Sequence, residues 1–414
     1  MSVRVLRWPY PCKWAYGMTD DTNGSTLESV RTVYEYCIER GIWPTRTVWA
    51  LRPSQLCGVR NQRKPKDGLT LEDLDYRRYC QELSQRGIEF ALHDVSSGNN
   101  PRENVIRGLE TFKETFGYYP SVYICHAHNA EHPYWGEQQY RTRIVRLLSR
   151  LLYLQTLSYN REEYFGNDPS SPYYWSDICR KTIRYVRLYR TRSLNVLRKN
   201  PRLPYHQYDK PDVLFWFSGN AEDYELFQRV SPRALDKIAR EDGAILHYAH
   251  TSLFLDPERS TASGLRPEVE RALATIGERS DCWRSTVSSI LDRCLAIKNI
   301  IVKKQKHGLV ICNPTAIGLD DFQIEASYKA LYSPSGEVLY PDQESRIRIG
   351  RLEPGSCLAL YFTKDGAEVR DPVGVSRFEE IRMMAEEAKR QIWKNKLYKR
   401  WRKLKRAWLQ KRQQ

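Results

Sequence analysis

Two adjacent carboxylates, Asp20 and Asp21, close the stretch Tyr16-Gly-Met-Thr-Asp-Asp. Neighbouring carboxylates repel, so one of them needs a cation or a proton. Imidazoles follow along the chain: His93, then His126 and His128 in His126-Ala-His-Asn129, then His250. Nitrogen and oxygen donors from separate segments suit a zinc-type site that keeps one position open for water. A metal held there lowers the pKa of its water and polarises a carbonyl, while a spare carboxylate takes the proton. Each residue also has a plain structural reading. A single His suits a satisfied core position, and the Asp pair suits capping of the helix that follows. The case for chemistry rests on where the chain delivers them.

Residues 1–297 alternate apolar strand-like runs with helical patterns, which argues for parallel βα units. The run through Tyr16, Gly17 and Met18 ends at the Asp pair. Asn23-Gly-Ser-Thr26 then supplies caps for a helix in which Leu27, Val30, Val33 and Cys37 recur at helical spacing. Strands are expected at 45–51, 88–92 and 121–125, with helices at 71–86 and 101–116. The third of the barrel strands delivers His93 and the fourth His126 and His128. Residues 130–210 carry a weaker pattern, with helices expected at 138–156 and from Tyr173 onward. Strands return at 212–217 and 244–248, the second ending at His250, and helices follow at 265–277 and 283–297. Strand ends that carry Asp20, Asp21, His93, His126, His128 and His250 all face one rim if the strands close into a barrel. His247 lies three residues before His250, hence on the opposite face of its strand. His132, His206 and His307 read as surface or structural.

Thr19-Asp-Asp-Thr22, His93 with its downstream loop, and Gly243-Ala-Ile-Leu-His-Tyr-Ala-His250 together resemble motifs of the polysaccharide deacetylases, the NodB-like carbohydrate esterases. The similarity spans about residues 10–255. It implies a distorted (β/α)7 barrel, with Asp20 as catalytic base, Asp21 and His93 as metal ligands and His250 as general acid. Two departures are visible. The second motif of that family has two His four residues apart, and here the later position is Ser97. The arginine-bearing third motif is replaced by His126-Ala-His-Asn129 and Pro133-Tyr-Trp-Gly136. His126 is therefore expected as the third ligand, with His128 in reserve. The cofactor expected is a divalent metal, zinc first, with cobalt, nickel or manganese as other candidates. Asn129, Tyr134, Trp135, Tyr174 and Trp175 are the expected substrate contacts, the aromatic ones as platforms for sugar rings, with core packing as the alternative. The reaction implied is removal of an acyl group from an N-acylated sugar or a lipid-linked polysaccharide precursor. A sugar-binding barrel without catalysis and a glycoside hydrolase on a related barrel are the alternatives.

From residue 298 the pattern changes to short β runs separated by turns, expected to form a small β-sandwich over 298–365. Ten Cys stand singly, with no Cys-x-x-Cys, which reads as reduced buried thiols of a cytosolic protein. Neither a secretory signal nor an apolar run of spanning length is present. The net charge is +16, but twelve Lys or Arg and no acid fall within 389–414, leaving +4 for the rest. Within the helix expected over 375–414, Trp393, Leu397, Trp401, Leu404 and Trp408 recur at steps of four, four, three and four and form one stripe among basic residues. That pattern suits the surface of an anionic membrane. A coiled-coil arm, another protein partner or nucleic acid could use the same helix, although no nucleic-acid module accompanies it. The location expected is cytoplasmic and peripheral to a membrane.

Overall fold

The computed structural model describes residues 3–361, apart from 127, 154–162, 222, 259–260, 306–307, 329 and 334–336, together with residues 377–394. His307 and the tail positions Leu397, Trp401, Leu404 and Trp408 lie outside the described residues, as does the side chain of Trp393.

Strand β1 (Val3–Val5) stands apart from the seven that follow. Those seven are β2 (Trp14–Asp20), β3 (Thr45–Val48), β4 (Glu89–His93), β5 (Val122–Ile124), β6 (Tyr185–Thr191), β7 (Phe215–Asn220) and β8 (Ala244–Ala249). Each pairs in parallel with the next, and β8 and β3 both pair with β2, so the sheet closes into a seven-stranded barrel. A short strand β9 (Cys282–Arg284) flanks β2 outside the ring. This is the distorted (β/α)7 barrel expected. Its distortion has a visible source: no α-helix lies between β6 and β7, where other neighbours are joined through helices.

Helix α1 (Leu27–Glu39) starts at Thr26, whose side chain accepts from the Ser29 amide while Ser29 accepts from the Thr26 amide. This reciprocal cap leaves Asp20 and Asp21 no capping role. The helices α2 (Leu74–Gln85) and α3 (Arg102–Phe116) follow β3 and β4. After β5 the chain forms α4 (Arg143–Tyr153) and α5 (Ser176–Thr182). The last barrel crossover uses α6 (Pro232–Arg240), and α7 (Pro267–Gly277) joins β8 to β9. Two cores result. One lies between the barrel wall and its helices, and includes Trp14, Tyr16, Met18, Val30, Val33 and Tyr34. The other fills the barrel interior, where Ala15, Ala91, Ile124, Phe217 and Leu246 meet Val287, Ile290 and Leu291 of α8 (Val287–Ile297). Helix α8 therefore plugs the barrel.

Seven antiparallel strands follow: β10 (Ile301–Gln305), β11 (Gly308–Cys312), β12 (Leu319–Ala326), β13 (Leu331–Tyr332), β14 (Val338–Leu339), β15 (Arg346–Leu352) and β16 (Cys357–Tyr361). They form a five-stranded sheet in the order β10-β11-β16-β13-β14 and a three-stranded sheet in the order β1-β12-β15, around a shared apolar core. The expected sandwich is present, but its first strand comes from the other end of the chain. Val3–Val5 pairs with Ile324–Ala326, so the region 1–297 is not all barrel. Cys312 and Cys357, opposite one another on β11 and β16, form a disulfide. The expectation of ten reduced thiols therefore fails for this pair, which sequence separation hides and strand register brings together. The other eight are free.

The last described helix, α9 (Arg377–Lys394), returns to the barrel. Met383, Met384 and Ala388 are buried in the wall core. Glu387 pairs with Arg190 of β6, and Glu386 with Lys199. No described helix is long and apolar enough to cross a membrane.

Candidate active-site cleft

The alternation of β2 decides what its two carboxylates can do. Trp14, Tyr16 and Met18 face the helices, so Asp20 does too, and Asp21 faces inward with Ala15. Asp20 is wholly buried and ion-paired with Arg46 of β3. It also accepts from Tyr34 Oη at 3.1 Å and from the Thr251 amide and hydroxyl at 3.0 and 2.9 Å. Arg46 in turn donates to Thr22 Oγ1 and Tyr76 Oη, each at 3.1 Å. This is a closed network between strand and helices. The role of catalytic base expected for Asp20 is not supported by that position, because regular strand geometry sends adjacent side chains to opposite faces.

Asp21 faces a cleft of about 710 Å³ at the C-terminal rim of the barrel, shared with His93, His126, Trp135, Arg187, Tyr248 and His250. The strand-end residues expected to meet thus do so, save Asp20 and His128. Arg187, on β6, is the member that sequence reasoning missed. It donates to both oxygens of Asp21, at 3.1 and 2.7 Å, and to Thr19 Oγ1 at 3.1 Å. A bulge in the β6–β7 pairing between Arg187 and Tyr189 shifts the alternation, so Arg190, three residues on, also lines the cleft. The two guanidinium groups stand 4.2 and 5.5 Å from the centre of the Tyr248 ring.

Two of these imidazoles, His93 and His126, are held toward the neutral form by burial. His93 Nδ1 lies 3.1 Å from the Ile124 carbonyl, which can only accept, so Nδ1 carries the proton and Nε2 the lone pair. Burial, and then the charge of Arg187, hold its pKa well below the usual imidazole value. His126 packs edge-on to His93, ring centres 4.9 Å apart. Burial, and then His93, push it down to about 3, and neither of its nitrogens has a hydrogen bond of normal geometry.

A cation on Asp21, His93 and His126 was expected. The neutral imidazoles suit one, and His93 Nε2 stands 3.7 Å from Asp21 Oδ2. That same oxygen, however, takes the shorter of the two Arg187 hydrogen bonds. A divalent ion bonded there would sit against a guanidinium, and both side chains are buried, so the repulsion is weakly screened. Nor do the three donors gather. Among the described residues, the group whose donor atoms lie within 4.8 Å of one another is Asp94, Cys125 and His132. The expected ligand set does not fit a metal as it stands, because Arg187 already neutralises its carboxylate.

The other expected contacts divide. Trp135 lines the cleft and is edge-on to His132. Trp175 does not: it is fully buried, packs on Tyr123 and donates to the Glu131 carbonyl at 2.6 Å. Tyr134 donates to Asp212, and Tyr174 lies against Arg102, both away from the cleft lining. Asn129 spends its amide on the scaffold, donating to the Ser96 and Gly98 carbonyls and accepting from Cys57. His128 is buried off the cleft. His247 packs against Phe227 and Phe254, as its strand face implied. His206 bonds the Leu214 carbonyl.

No family model matches this chain, and neither does any curated protein. Solved structures resemble it at low identity. One described as a polysaccharide deacetylase from Mycobacterium smegmatis is 12% identical, over 72% of this chain and 95% of that one, at a TM-score of 0.41. A Puue allantoinase is 10% identical, over 69% and 92%, at 0.40. A protein described as a polysaccharide deacetylase from Pseudomonas aeruginosa PAO1 is 10% identical, over 69% and 92%, at 0.39. Likeness of this strength carries no argument about activity. The fold rests on the strand pairing above.

Proposed function

We propose that the cleft hydrolyses an acyl C–N bond on an N-acylated sugar. The observation that carries this reading is the meeting of one inward carboxylate, three imidazoles, a guanidinium and an indole in the cleft wall at the ends of five strands and one loop. The sugar ring stacks on Trp135. Asp21, rather than Asp20, takes the role of base. Arg187 fixes its orientation, and each carboxylate oxygen keeps a second lone pair for a water. Water loses its proton to Asp21 and adds to the amide carbonyl. The developing oxyanion is met by Arg187 and by an N–H of neutral His126. The C–N bond breaks as His250 gives its proton to the leaving amine, and a free amine and a carboxylate remain.

The test is acetate release from a panel of N-acetylated glycans, with amine and reducing ends measured in parallel. Asp21→Asn should lower turnover about 10²–10⁴-fold. Reducing ends without acetate would mark a glycoside hydrolase instead.

One observation favours a second reading, a sugar-binding barrel without catalysis: both adjacent carboxylates are bound to arginines. Calorimetric binding of the same glycans with no turnover would select it. We further propose that the protein works at the cytoplasmic surface of an anionic membrane, on a glycolipid or lipid-linked precursor. The support for this is the basic, Trp-striped tail sequence.

A further inference from the structure

We propose that Asp94, Cys125 and His132 form a binding site for a divalent cation of the zinc class, at the wall of the cleft and with donors distinct from Asp21, His93 and His126. Asp94 directly follows β4 and Cys125 directly follows β5, while His132 lies on the loop beyond. One oxygen, one sulfur and one nitrogen donor thus converge from adjacent strand ends, all within 4.8 Å of one another. The donors of a tetrahedral zinc, at about 2.0–2.3 Å from the ion, stand about 3.3–3.8 Å apart, so this set would draw in around an ion. Mixed O, S and N donors select zinc-class ions over magnesium or calcium.

The polar atoms of this pocket are incompletely used. Asp94 Oδ2 accepts from the His126 amide at 3.0 Å and from His132 Nε2 at 2.7 Å. Asp94 Oδ1 and His132 Nδ1 are buried without a hydrogen bond of normal geometry, and both residues are wholly buried. The neighbour left for that oxygen is the Tyr123 hydroxyl, whose approach is not of normal geometry, and a cation would match the carboxylate better. The backbone is committed to the arrangement as well: Asp94, directly after β4, holds a left-handed φ of 50°. His132 is clamped between Tyr164, stacked at 5.6 Å, and the Trp135 edge. Cys125 lines the cleft too, so an ion has a route in. The inference does not rest on the deacylation reading.

The experiment loads the purified full chain with Co²⁺ and then Zn²⁺. One ion per chain is expected, with the thiolate-to-cobalt charge-transfer absorption that marks a sulfur ligand, displaced by zinc. Cys125→Ser should abolish that absorption. Asp94→Asn should weaken binding about tenfold or more, and Asn tolerates the left-handed φ. Asp21→Asn should leave both stoichiometry and spectrum intact. Should the variants fail to fold, alkylation mapping of the wild type decides, since zinc should protect Cys125. The proposal is overturned by a chain that binds no ion, by an unchanged spectrum in Cys125→Ser, by unprotected Cys125, or by an ion that Asp21→Asn releases. None of these readouts involves acetate, so they stand or fall apart from the proposed reaction.

Discussion

Arg46 and Arg187 divide the work of Asp20 and Asp21. One carboxylate is consumed inside the wall, and the other is held open to the cleft. Sequence reading found both Asp residues and assigned them a shared site. The strand-face argument that placed His247 opposite His250 applies equally to two adjacent residues, and it separates them. The two arginines were harder to find. Arg46 stands between two threonines and Arg187 shares its strand with Arg190, so each looks like an exposed strand position until the partner carboxylate is located. His93, His126, His250 and Trp135 were legible because strand ends and the loops after them converge in any closed barrel. Trp175 was not, because an indole suits a core and a sugar platform alike. If Asp20 is structural, Asp20→Asn should cost about 3–5 kcal/mol by leaving Arg46 buried without its partner. Denaturant melts should record that loss, while the protein that remains folded keeps its acetate release per molecule.

At the scale of elements, strands β2 through β5 and β8 lie within a few residues of their expected places, since their apolar runs are bounded by turn residues. Strand β6 was missed altogether. Its Tyr185-Val-Arg-Leu-Tyr-Arg-Thr191 run mixes charges into both faces, and the bulge at Arg187–Tyr189 breaks the two-residue period on which recognition depends. That interruption is also what brings Arg190 round to the cleft. Plugging of the barrel by α8 sets a second local constraint. A Cβ on Gly17 would stand 2.8 Å from Ile290 Cδ1 and 3.2 Å from Leu246 Cδ2, so any side chain at this inward position forces the plug to shift. Gly17→Ala should destabilise by about 1–3 kcal/mol through overpacking. Ile290→Val removes the clashing methyl, so the double variant should be more stable than the sum of the two losses predicts. Simple additivity in urea titrations would show that the plug is not rigid at this point.

For the molecule as a whole, α9 changes how the tail must be tested. Because Met383, Met384 and Ala388 belong to the wall core, a chain stopped before α9 would bare that core as well as lose the basic stripe. The informative truncation stops after Lys394. Flotation with anionic liposomes should fall steeply on that truncation, weaken with salt, and fall also when Trp401 and Trp408 become Ala. Equal flotation of intact and shortened chains would remove the tail as anchor. The other long-range tie is Val3–Val5, whose partners on β12 are displaced by about 320 residues along the chain. At roughly 5–20 residues per second of synthesis, that strand waits about 16–60 s for its neighbour. The sandwich is therefore completed after the barrel whose synthesis separates its strands, and the two lobes are joined as a clasp rather than as beads on a string. A stretch that begins at residue 298 lacks one edge of its own sheet, so the order in which the chain is made is written into where its second domain can be cut.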